Sequence, residues 1–400
     1  MSNTGKKKDS HAWRRQTVAV RGGHARSNFG ETSEALYLTS GYVYDAAEQA
    51  EARFKGEDDG FIYSRFSNPT VGMFEERIAA IEGMERAMAT ATGMAAVNAS
   101  LMCQLKAGDH VVSARALFGS CRYIIEDILP RFGVETTLIE GGDLDQWRRA
   151  MRPNTVCGFL ETPSNPMLDI VDLKAIADIL HDGGARLVVD NAFATPALQR
   201  PGEFGADVVV YSATKHIDGQ GRCLGGVVLG SEDFVENTLK PFLRHTGPAL
   251  SPFNAWVMLK GLETLELRVE RHCASAATVA AFLESQDQVT RVIYPFLDSH
   301  PGSDLAKRQM AAGGGIVTFD IEGGKEGAFR FLNALKIVDI SNNLGDSKSL
   351  ITHPATTTHQ RISEEERLEV GIKPTTVRLS VGLEDVEDLI GDIREALGAV

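Results

Sequence analysis

The sequence predicts an α/β protein with a large, mainly parallel sheet and a smaller α/β domain at the C-terminus. Short runs rich in Val and Leu alternate with amphipathic stretches such as residues 173–181, where apolar residues recur at helical spacing. The strand-like runs are residues 110–113, 134–139, 157–161, 187–190, 207–211 and 226–230. This alternation is typical of a parallel sheet covered by helices, in which ligands bind at the carboxyl ends of the strands.

The chain divides into three regions where this pattern changes. Residues 1–60 lack strong periodicity and form an N-terminal arm, which either lies on a neighbouring subunit or is a partly ordered lead-in. Residues 61–250 hold the alternating pattern and form the large domain. The prolines at 248 and 252 mark a boundary, so residues 251–400 form a C-terminal domain. Its elements are predicted at residues 315–321, at residues 377–381 and beyond Asp385.

Composition and charge exclude several classes of protein. The net charge of −13 argues against nonspecific nucleic-acid binding. No apolar run approaches the roughly 18 residues of a membrane span, and the N-terminus has no apolar secretion segment. Five scattered cysteines without CxxC spacing argue against a disulfide framework or a metal cluster and favour a reducing cytoplasm. We therefore expect a cytoplasmic protein without a membrane or nucleic-acid partner and without a metal.

Lys215 and Asp190 are the residues around which a chemical site can be predicted. Each follows an apolar strand-like run, residues 207–210 and 187–189 respectively. Pyridoxal 5'-phosphate (PLP) requires a lysine that forms a Schiff base and a carboxylate that pairs with its pyridinium nitrogen. The hydroxyls of Ser212 and Thr214 could bond a phosphate. The alternative, for Lys215 alone, is an ordinary solvated loop lysine.

Four further segments carry polar groups that suit such a cofactor or its substrate. The turn at Gly93 and Met94 opens a helix and offers backbone N–H groups to an anion. Tyr63 and Arg65, two residues apart, point the same way on an extended segment, and a guanidinium suits a phosphate. Two more side chains are Asn165, just past a strand end, and Arg378, in a half-buried strand. Arg378 needs an anion, either a substrate carboxylate or an internal acid.

These segments together resemble the Cys/Met-metabolism group of PLP-dependent enzymes, from about residue 17 to residue 397. The resemblance is carried by Tyr63–Thr70, Thr92–Ala96, Glu161–Pro166, Asp190–Pro196, Ser212–His216 and Arg378–Glu384. It implies the fold-type I PLP-dependent transferase architecture, with a seven-stranded-type sheet domain that binds the cofactor and a smaller C-terminal domain.

The resemblance also implies a role for each matched residue. Lys215 matches the Schiff-base lysine, Asp190 the pyridinium partner and Asn165 the partner of the cofactor's O3′. The remaining matches are the phosphate cradle of Gly93, Met94, Ser212 and Thr214, the substrate-carboxylate groups Ser349 and Arg378, the ring-stacking residue Phe118, and the pair Tyr63 and Arg65. That pair is expected to reach the cofactor of a neighbouring subunit, in a homotetramer built from active-site-sharing dimers.

Two departures from the family pattern point to one branch. Phe118 stands where a tyrosine is usual, so ring stacking is kept but a phenol that could donate a proton is lost. The loop at residues 219–226 and the run at residues 349–354 also look most like the O-succinylhomoserine sulfhydrylases. That branch implies γ-replacement, in which O-succinylhomoserine and sulfide give homocysteine and succinate for methionine biosynthesis. A succinate leaving group needs little protonation, so loss of the phenol costs little, and Tyr63 could substitute as an acid.

Other functions stay open at this point. A cystathionine γ-synthase would differ only in using cysteine as the nucleophile. A methionine or cystathionine γ-lyase is less favoured, because methionine γ-lyases are expected to carry a cysteine at position 120, where this chain has Ser120 followed by Cys121. A catalytically silent protein on this fold would have no reason to keep Lys215, Asp190 and Arg378 together. The cation that would select a succinyl over an acetyl ester is also open, with Arg115 and Arg222 as candidates.

Overall fold

The computed structural model describes residues 13–400 and confirms the two-sheet α/β architecture. The large sheet has seven strands in the order β1-β7-β6-β5-β4-β2-β3. Their bounds are β1 Arg86–Thr90, β2 His110–Ala114, β3 Glu135–Ile139, β4 Thr155–Glu161, β5 Arg186–Asp190, β6 Val208–Ser212 and β7 Gly226–Gly230. Strands β2 to β6 pair in parallel, whereas β7 is antiparallel to both β6 and β1. The carboxyl ends of β4, β5 and β6 therefore meet at one edge.

The smaller sheet has five strands in the order β10-β11-β12-β9-β8. Their bounds are β8 Val289–Ile293, β9 Ile316–Ile321, β10 Asp339–Ile340, β11 Leu350–Thr352 and β12 Thr376–Ser380. Pairing is antiparallel except between β10 and β11. β9 and β12 match the two predicted strands, whereas β1, β8, β10 and β11 were not predicted.

Helices cover both faces of the large sheet and one side of the small one. They are α1 Arg15–Arg21, α2 Ala47–Lys55, α3 Pro69–Glu82, α4 Gly93–Met102, α5 Gly119–Tyr123, α6 Leu129–Arg131, α7 Leu144–Ala150, α8 Leu173–Asp182, α9 Thr195–Leu198, α10 Glu232–Phe234, α11 Lys240–Thr246, α12 Pro252–Glu263, α13 Leu265–Glu284, α14 Ser303–Gln309, α15 Gly324–Ala334, α16 Glu364–Glu369 and α17 Val386–Leu397. None of the helices in residues 13–400 combines the length and apolarity needed to cross a bilayer.

Local sequence accounts for the bounds of α3. Asn68 caps its N-terminus, where the side-chain oxygen accepts a hydrogen bond from Thr70 N–H at 2.9 Å. Pro69 occupies the first turn, where its missing N–H costs nothing. Gly83 ends the helix with a φ of 84°, a left-handed conformation that favours glycine. The capping residues of α3 thus set both of its bounds.

The central strands are apolar because they are buried on both faces. Val111 and Val112, successive residues of β2, belong to two different apolar clusters on opposite sides of the sheet. Gly158 in β4 lets α8 lie close to the sheet, since a Cβ there would stand 2.5 Å from a methyl of Leu180.

The packing of α12 and α13 bears on the division into domains. α12 packs against α3, and Leu265 and Val269 at the start of α13 belong to the core of the large sheet. Val279 and Leu283, at the end of α13, belong to the core of the small sheet. The predicted division into residues 1–60, 61–250 and 251–400 stays a prediction. This packing favours a boundary between the two sheet domains that lies within α13 rather than at residue 250.

Candidate active site

Asp190 ends β5 and lies at the strand-end edge where the site was predicted. One oxygen of its carboxylate accepts a hydrogen bond from Ala192 N–H at 3.0 Å. Burial raises the pKa of Asp190 to about 6, and the positive charge of Lys215 opposes this rise. A carboxylate in such a place is ready to pair with a cation brought by a ligand.

Lys215 follows β6 by three residues and lies in the same cluster of charges. Burial, and next the charge of Arg378, lower its pKa to about 8, while Asp190 acts in the opposite direction. Its Nζ donates to Oδ1 of Asn343 at 2.5 Å. No local sequence pattern marks Asn343, because it lies in an irregular loop of the small domain, 128 residues from Lys215.

The N-terminus of α4 forms a cradle for an anion beside the end of β6. Thr92 caps this helix by accepting Ala95 N–H at 3.0 Å, so Gly93 and Met94 present backbone N–H groups in its first turn. A Cβ at Gly93 would stand 2.6 Å from Cβ of Ser212 and fill the cradle. Thr214 Oγ1 accepts Gly225 N–H at 3.1 Å, and this bond fixes the position of the Thr214 hydroxyl. These residues fit a phosphate group.

Arg378 is buried in β12, with 2% of its surface exposed. Its Nη1 donates to Oδ1 of Asn165 at 2.8 Å, and its Nη2 donates to the Asn342 carbonyl at 2.9 Å. Nε has no partner, and within residues 13–400 none of the ion pairs of the structure includes Arg378. The internal acid that the sequence left open is therefore not found there, and the guanidinium faces the site without an anion.

A hydrogen bond between Phe118 and Glu161 joins two segments of the large domain next to the site. The backbone N–H of Phe118 donates to Oε1 of Glu161 at 2.8 Å, which fixes the residue expected to stack on the cofactor ring. Glu161 ends β4 and is buried beside Asp190. Glu161 begins the Glu161–Pro166 run that carries the family resemblance, but the sequence predicted no role for it.

Tyr63 and Arg65 make their contacts elsewhere on the same chain. The Arg65 guanidinium donates to the Arg244 carbonyl and lies 4.8 Å from the centre of the Phe66 ring. Tyr63 is 42% exposed. Among the described residues, neither is hydrogen-bonded to Lys215, Asp190 or Arg378. This placement leaves the pair accessible to a second copy of the chain.

Ser349 is not free to meet a substrate in this structure. Its hydroxyl donates to Glu384 at 2.8 Å and accepts Gly382 N–H at 2.8 Å, and the residue is fully buried. The substrate-binding role expected for Ser349 therefore stays a prediction, whereas Asn343 of the small domain contacts Lys215 directly.

The two candidates for a distal cation are both paired with acids. Arg222 Nε lies 2.9 Å from the buried carboxylate of Asp218, one residue of its own loop. Arg115 Nη1 lies 2.9 Å from the exposed carboxylate of Glu369 in α16. Both guanidiniums thus have an acid partner, whereas among the described residues Arg378 has none.

Comparison with known proteins identifies the family to which this site belongs. The profile of the Cys/Met metabolism PLP-dependent enzymes matches residues 16–398, so the chain is a member of that family and a PLP-dependent enzyme. The predicted family, fold class and cofactor are thereby confirmed.

Its relatives and structural neighbours agree with this assignment. The chain is 55% identical to an O-succinylhomoserine sulfhydrylase of Mycobacterium tuberculosis, covering 95% of each chain. It is 50% identical to one of Pseudomonas aeruginosa (96% and 95% covered) and 41% identical to an L-methionine gamma-lyase of Porphyromonas gingivalis (96% and 97% covered). The MetB structure of Corynebacterium glutamicum superposes with a TM-score of 0.92 at 33% identity, covering 98% of this chain and 99% of that one.

A second solved structure carries the cofactor itself. A Campylobacter jejuni protein described as a candidate O-acetylhomoserine (thiol)-lyase superposes with a TM-score of 0.93 at 34% identity, covering 96% of this chain and 100% of that one. It contains N'-pyridoxyl-lysine-5'-monophosphate, a lysine joined to the cofactor. The cofactor chemistry predicted from Lys215 thus has a counterpart in a neighbour of the same fold.

Proposed function

We propose that this enzyme is an O-succinylhomoserine sulfhydrylase, which converts O-succinylhomoserine and sulfide to homocysteine and succinate. The observation that carries the proposal is the conjunction of Lys215, Asp190 and an acid-free Arg378 in one buried site, on a chain 50–55% identical to sulfhydrylases. The reaction replaces a carboxylate ester at Cγ of a small amino acid with a thiol.

The residues of the strand-end edge hold the cofactor. Bound PLP supplies an electron sink for the electrons released when a proton leaves the substrate. Lys215 would carry it, Asp190 would pair with its ring nitrogen, Asn165 would bind O3′ and Phe118 would pack against the ring. The N–H groups of Gly93 and Met94, with the hydroxyls of Ser212 and Thr214, would bind its phosphate.

Lys215 moves the protons of the reaction. Because burial brings its pKa to about 8, its amine releases a proton near neutral pH more readily than a solvated lysine does. Asn343, at 2.5 Å from Nζ, holds the amine in place while it acts. Lys215 would take the proton from Cα and release it within the site, and its neutral amine would then take a proton from Cβ as succinate leaves. After hydrosulfide has added at Cγ, the two protons would return to Cβ and Cα.

Arg378 binds the α-carboxylate of the substrate. Its buried, acid-free guanidinium offers the anion site, and its bond to Asn165 ties the carboxylate site to the cofactor site. Succinate leaves as a stable carboxylate, so the absence of a phenol at Phe118 is tolerated. A lyase that expels a poorer leaving group would need that acid more.

Assembly and location complete the proposal. Tyr63 and Arg65 are both exposed, and Arg65 bonds the Arg244 carbonyl, which supports the role of completing the phosphate site of a neighbouring subunit. There Tyr63 would also serve as a catalytic acid. We propose a homotetramer of active-site-sharing dimers, working in the cytoplasm, with small molecules as its substrates.

Product identity tests the proposed reaction. The purified holoenzyme receives O-succinylhomoserine with sulfide in one reaction and with cysteine in another. Homocysteine formed much faster with sulfide supports the sulfhydrylase. Cystathionine as the faster product would assign a cystathionine γ-synthase, and release of 2-oxobutyrate from methionine without turnover of O-succinylhomoserine would assign a γ-lyase.

A further inference from the structure

Glu161 is a buried carboxyl to which the proposed reaction gives no task. It is the last residue of β4, and in the parallel pairing of β4 with β5 it stands opposite Asp190. Both side chains therefore lie on the same face of the sheet at its carboxyl edge. An oxygen of each carboxyl and Sγ of Cys121 all lie within 4.8 Å of one another.

The contacts of Glu161 provide no cation to balance a charge. Phe118 N–H donates to Oε1 at 2.8 Å, and the backbone N–H of Asn165 and the thiol of Cys121 are its other donors. Burial, together with the nearby charge of Asp190, raises the pKa of Glu161 to about 8, whereas the pKa of Asp190 is raised to about 6. Two carboxyls this close do not both ionise readily, so at pH 7 the pair keeps one proton.

The surroundings decide which carboxyl keeps that proton. The positive charge of Lys215 favours the ionised form of Asp190, and Ala192 N–H bonds one of its oxygens at 3.0 Å. Glu161 is 7% exposed and lies one strand further from Lys215. The proton therefore belongs on Glu161, which leaves Asp190 as the anion.

We propose that Glu161 is a positioning residue, a neutral carboxylic acid whose O–H donates to the Asp190 carboxylate and orients it toward the cofactor's ring nitrogen. The inference rests on the role proposed for Asp190. The partner that holds a ligand-binding side chain from behind fixes its orientation, and its loss typically weakens ligand affinity 10- to 100-fold at comparable metal sites. Glu161 also holds Phe118 N–H, so one carboxyl supports both the ring-nitrogen partner and the ring-stacking residue.

Two substitutions separate hydrogen bonding from charge. The amide in Glu161→Gln keeps an N–H donor toward Asp190 and a carbonyl for Phe118 N–H, whereas Glu161→Leu keeps neither. Release of PLP from the holoenzyme is measured by equilibrium dialysis. We expect the dissociation constant of the glutamine variant to stay within about 3-fold of the wild type, and that of the leucine variant to rise about 10- to 100-fold.

Infrared spectroscopy reports the proton directly. The carbonyl stretch of a protonated carboxylic acid should be present at pH 7 and lose one component in Glu161→Gln. Glu82→Gln is the matched control: Glu82 is a buried acid whose pKa burial raises to about 8, it accepts a hydrogen bond from Tyr211, and among the described residues it makes none with Asp190, Lys215 or Phe118. It should lose its own infrared component without changing PLP release.

Three results would overturn the inference. One is loss of the cofactor from Glu161→Gln as fast as from Glu161→Leu, and another is an infrared spectrum that Glu161→Gln leaves unchanged. The third is unchanged PLP release from Glu161→Leu when Asp190→Asn weakens binding, which would leave Asp190 in its role without help from Glu161. Unchanged release from Asp190→Asn itself would instead refute the role of Asp190.

Discussion

Replacing Arg378 with methionine should abolish function while leaving the fold as stable as before, or more so. Arg378 is buried, and burial lowers its pKa from 12.5 to about 10. At 1.36 kcal/mol per pKa unit, that shift corresponds to about 3 kcal/mol of penalty on the charged guanidinium at neutral pH. Loss of its hydrogen bond to Asn165 lowers the free energy of unfolding by about 1–3 kcal/mol. The two effects nearly cancel, and the flexible methionine fills the volume.

The effect of Arg378→Met on catalysis should be large. Removing one partner of a buried charge pair costs about 3–5 kcal/mol, which at 1.36 kcal/mol per tenfold corresponds to a fall of kcat/KM by roughly 10²- to 10³-fold or more. Steady-state assays with O-succinylhomoserine and sulfide measure this fall. Urea unfolding without substrate, at one protein concentration for all variants, measures the stability.

A second buried arginine provides the control. Arg77 is fully buried like Arg378, but its guanidinium pairs with the buried carboxylate of Glu34. Arg77→Met should therefore destabilise the protein by about 3 kcal/mol, because it removes a cationic partner of the buried Glu34 carboxylate. If Arg378→Met were destabilised as much as Arg77→Met, or if its kcat/KM fell less than tenfold, Arg378 would be a structural residue and the reasoning would fail.

Three further predictions follow from single contacts. Asn343→Ala should lower kcat about tenfold with little change in KM, since it frees the Lys215 amine, and steady-state kinetics would show a KM effect if Asn343 instead bound substrate. Gly93→Ala should weaken PLP binding in equilibrium dialysis, because its Cβ would stand 2.6 Å from Ser212, whereas Gly391→Ala in α17 meets no atom within 4 Å and should leave PLP binding unchanged and stability slightly raised. Burial lowers the pKa of His110 to about 4, so His110 is neutral in the folded protein, whereas the unfolded chain takes up a proton there below about pH 6.5. The free energy of unfolding should therefore fall by up to about 3 kcal/mol between pH 6.5 and pH 4. Urea unfolding at several pH values should show a weaker dependence of this free energy on pH in His110→Gln.

The strand-end residues could be predicted because a parallel sheet fixes where they go. Asp190 and Lys215 each follow an apolar run, and the parallel pairing of β5 and β6 then brings them to one edge. Arg378 was identifiable for a similar reason, since a charge in a buried strand needs a partner. In each case the strand pattern predicted the position, whereas the role of the side chain was predicted only from these residues taken together and from the family resemblance.

The residues that were missed depend on contacts between distant segments. Asn343 lies in an irregular loop whose position is set by the packing of the small domain, so no local pattern marks it. Ser349 was not missed: its role was implied by resemblance alone and stays a prediction, and only the fold shows that its hydroxyl bonds Glu384 and Gly382. Strand β1 was missed because its sequence, Arg86–Thr90, is rich in alanine and methionine, and its pairing with β7 makes it a strand.

The bond between Arg378 and Asn165 joins residues 213 positions apart, and this spacing imposes an order on biosynthesis. Arg378 is made 163 residues after Lys215, which at typical rates of synthesis is a delay of roughly 10–30 s. During that interval the lysine, the carboxylate of Asp190 and the phosphate cradle already exist on the nascent chain, while the amino-acid site does not. The growing polypeptide can thus acquire its vitamin-derived cofactor before it is able to bind an amino-acid substrate.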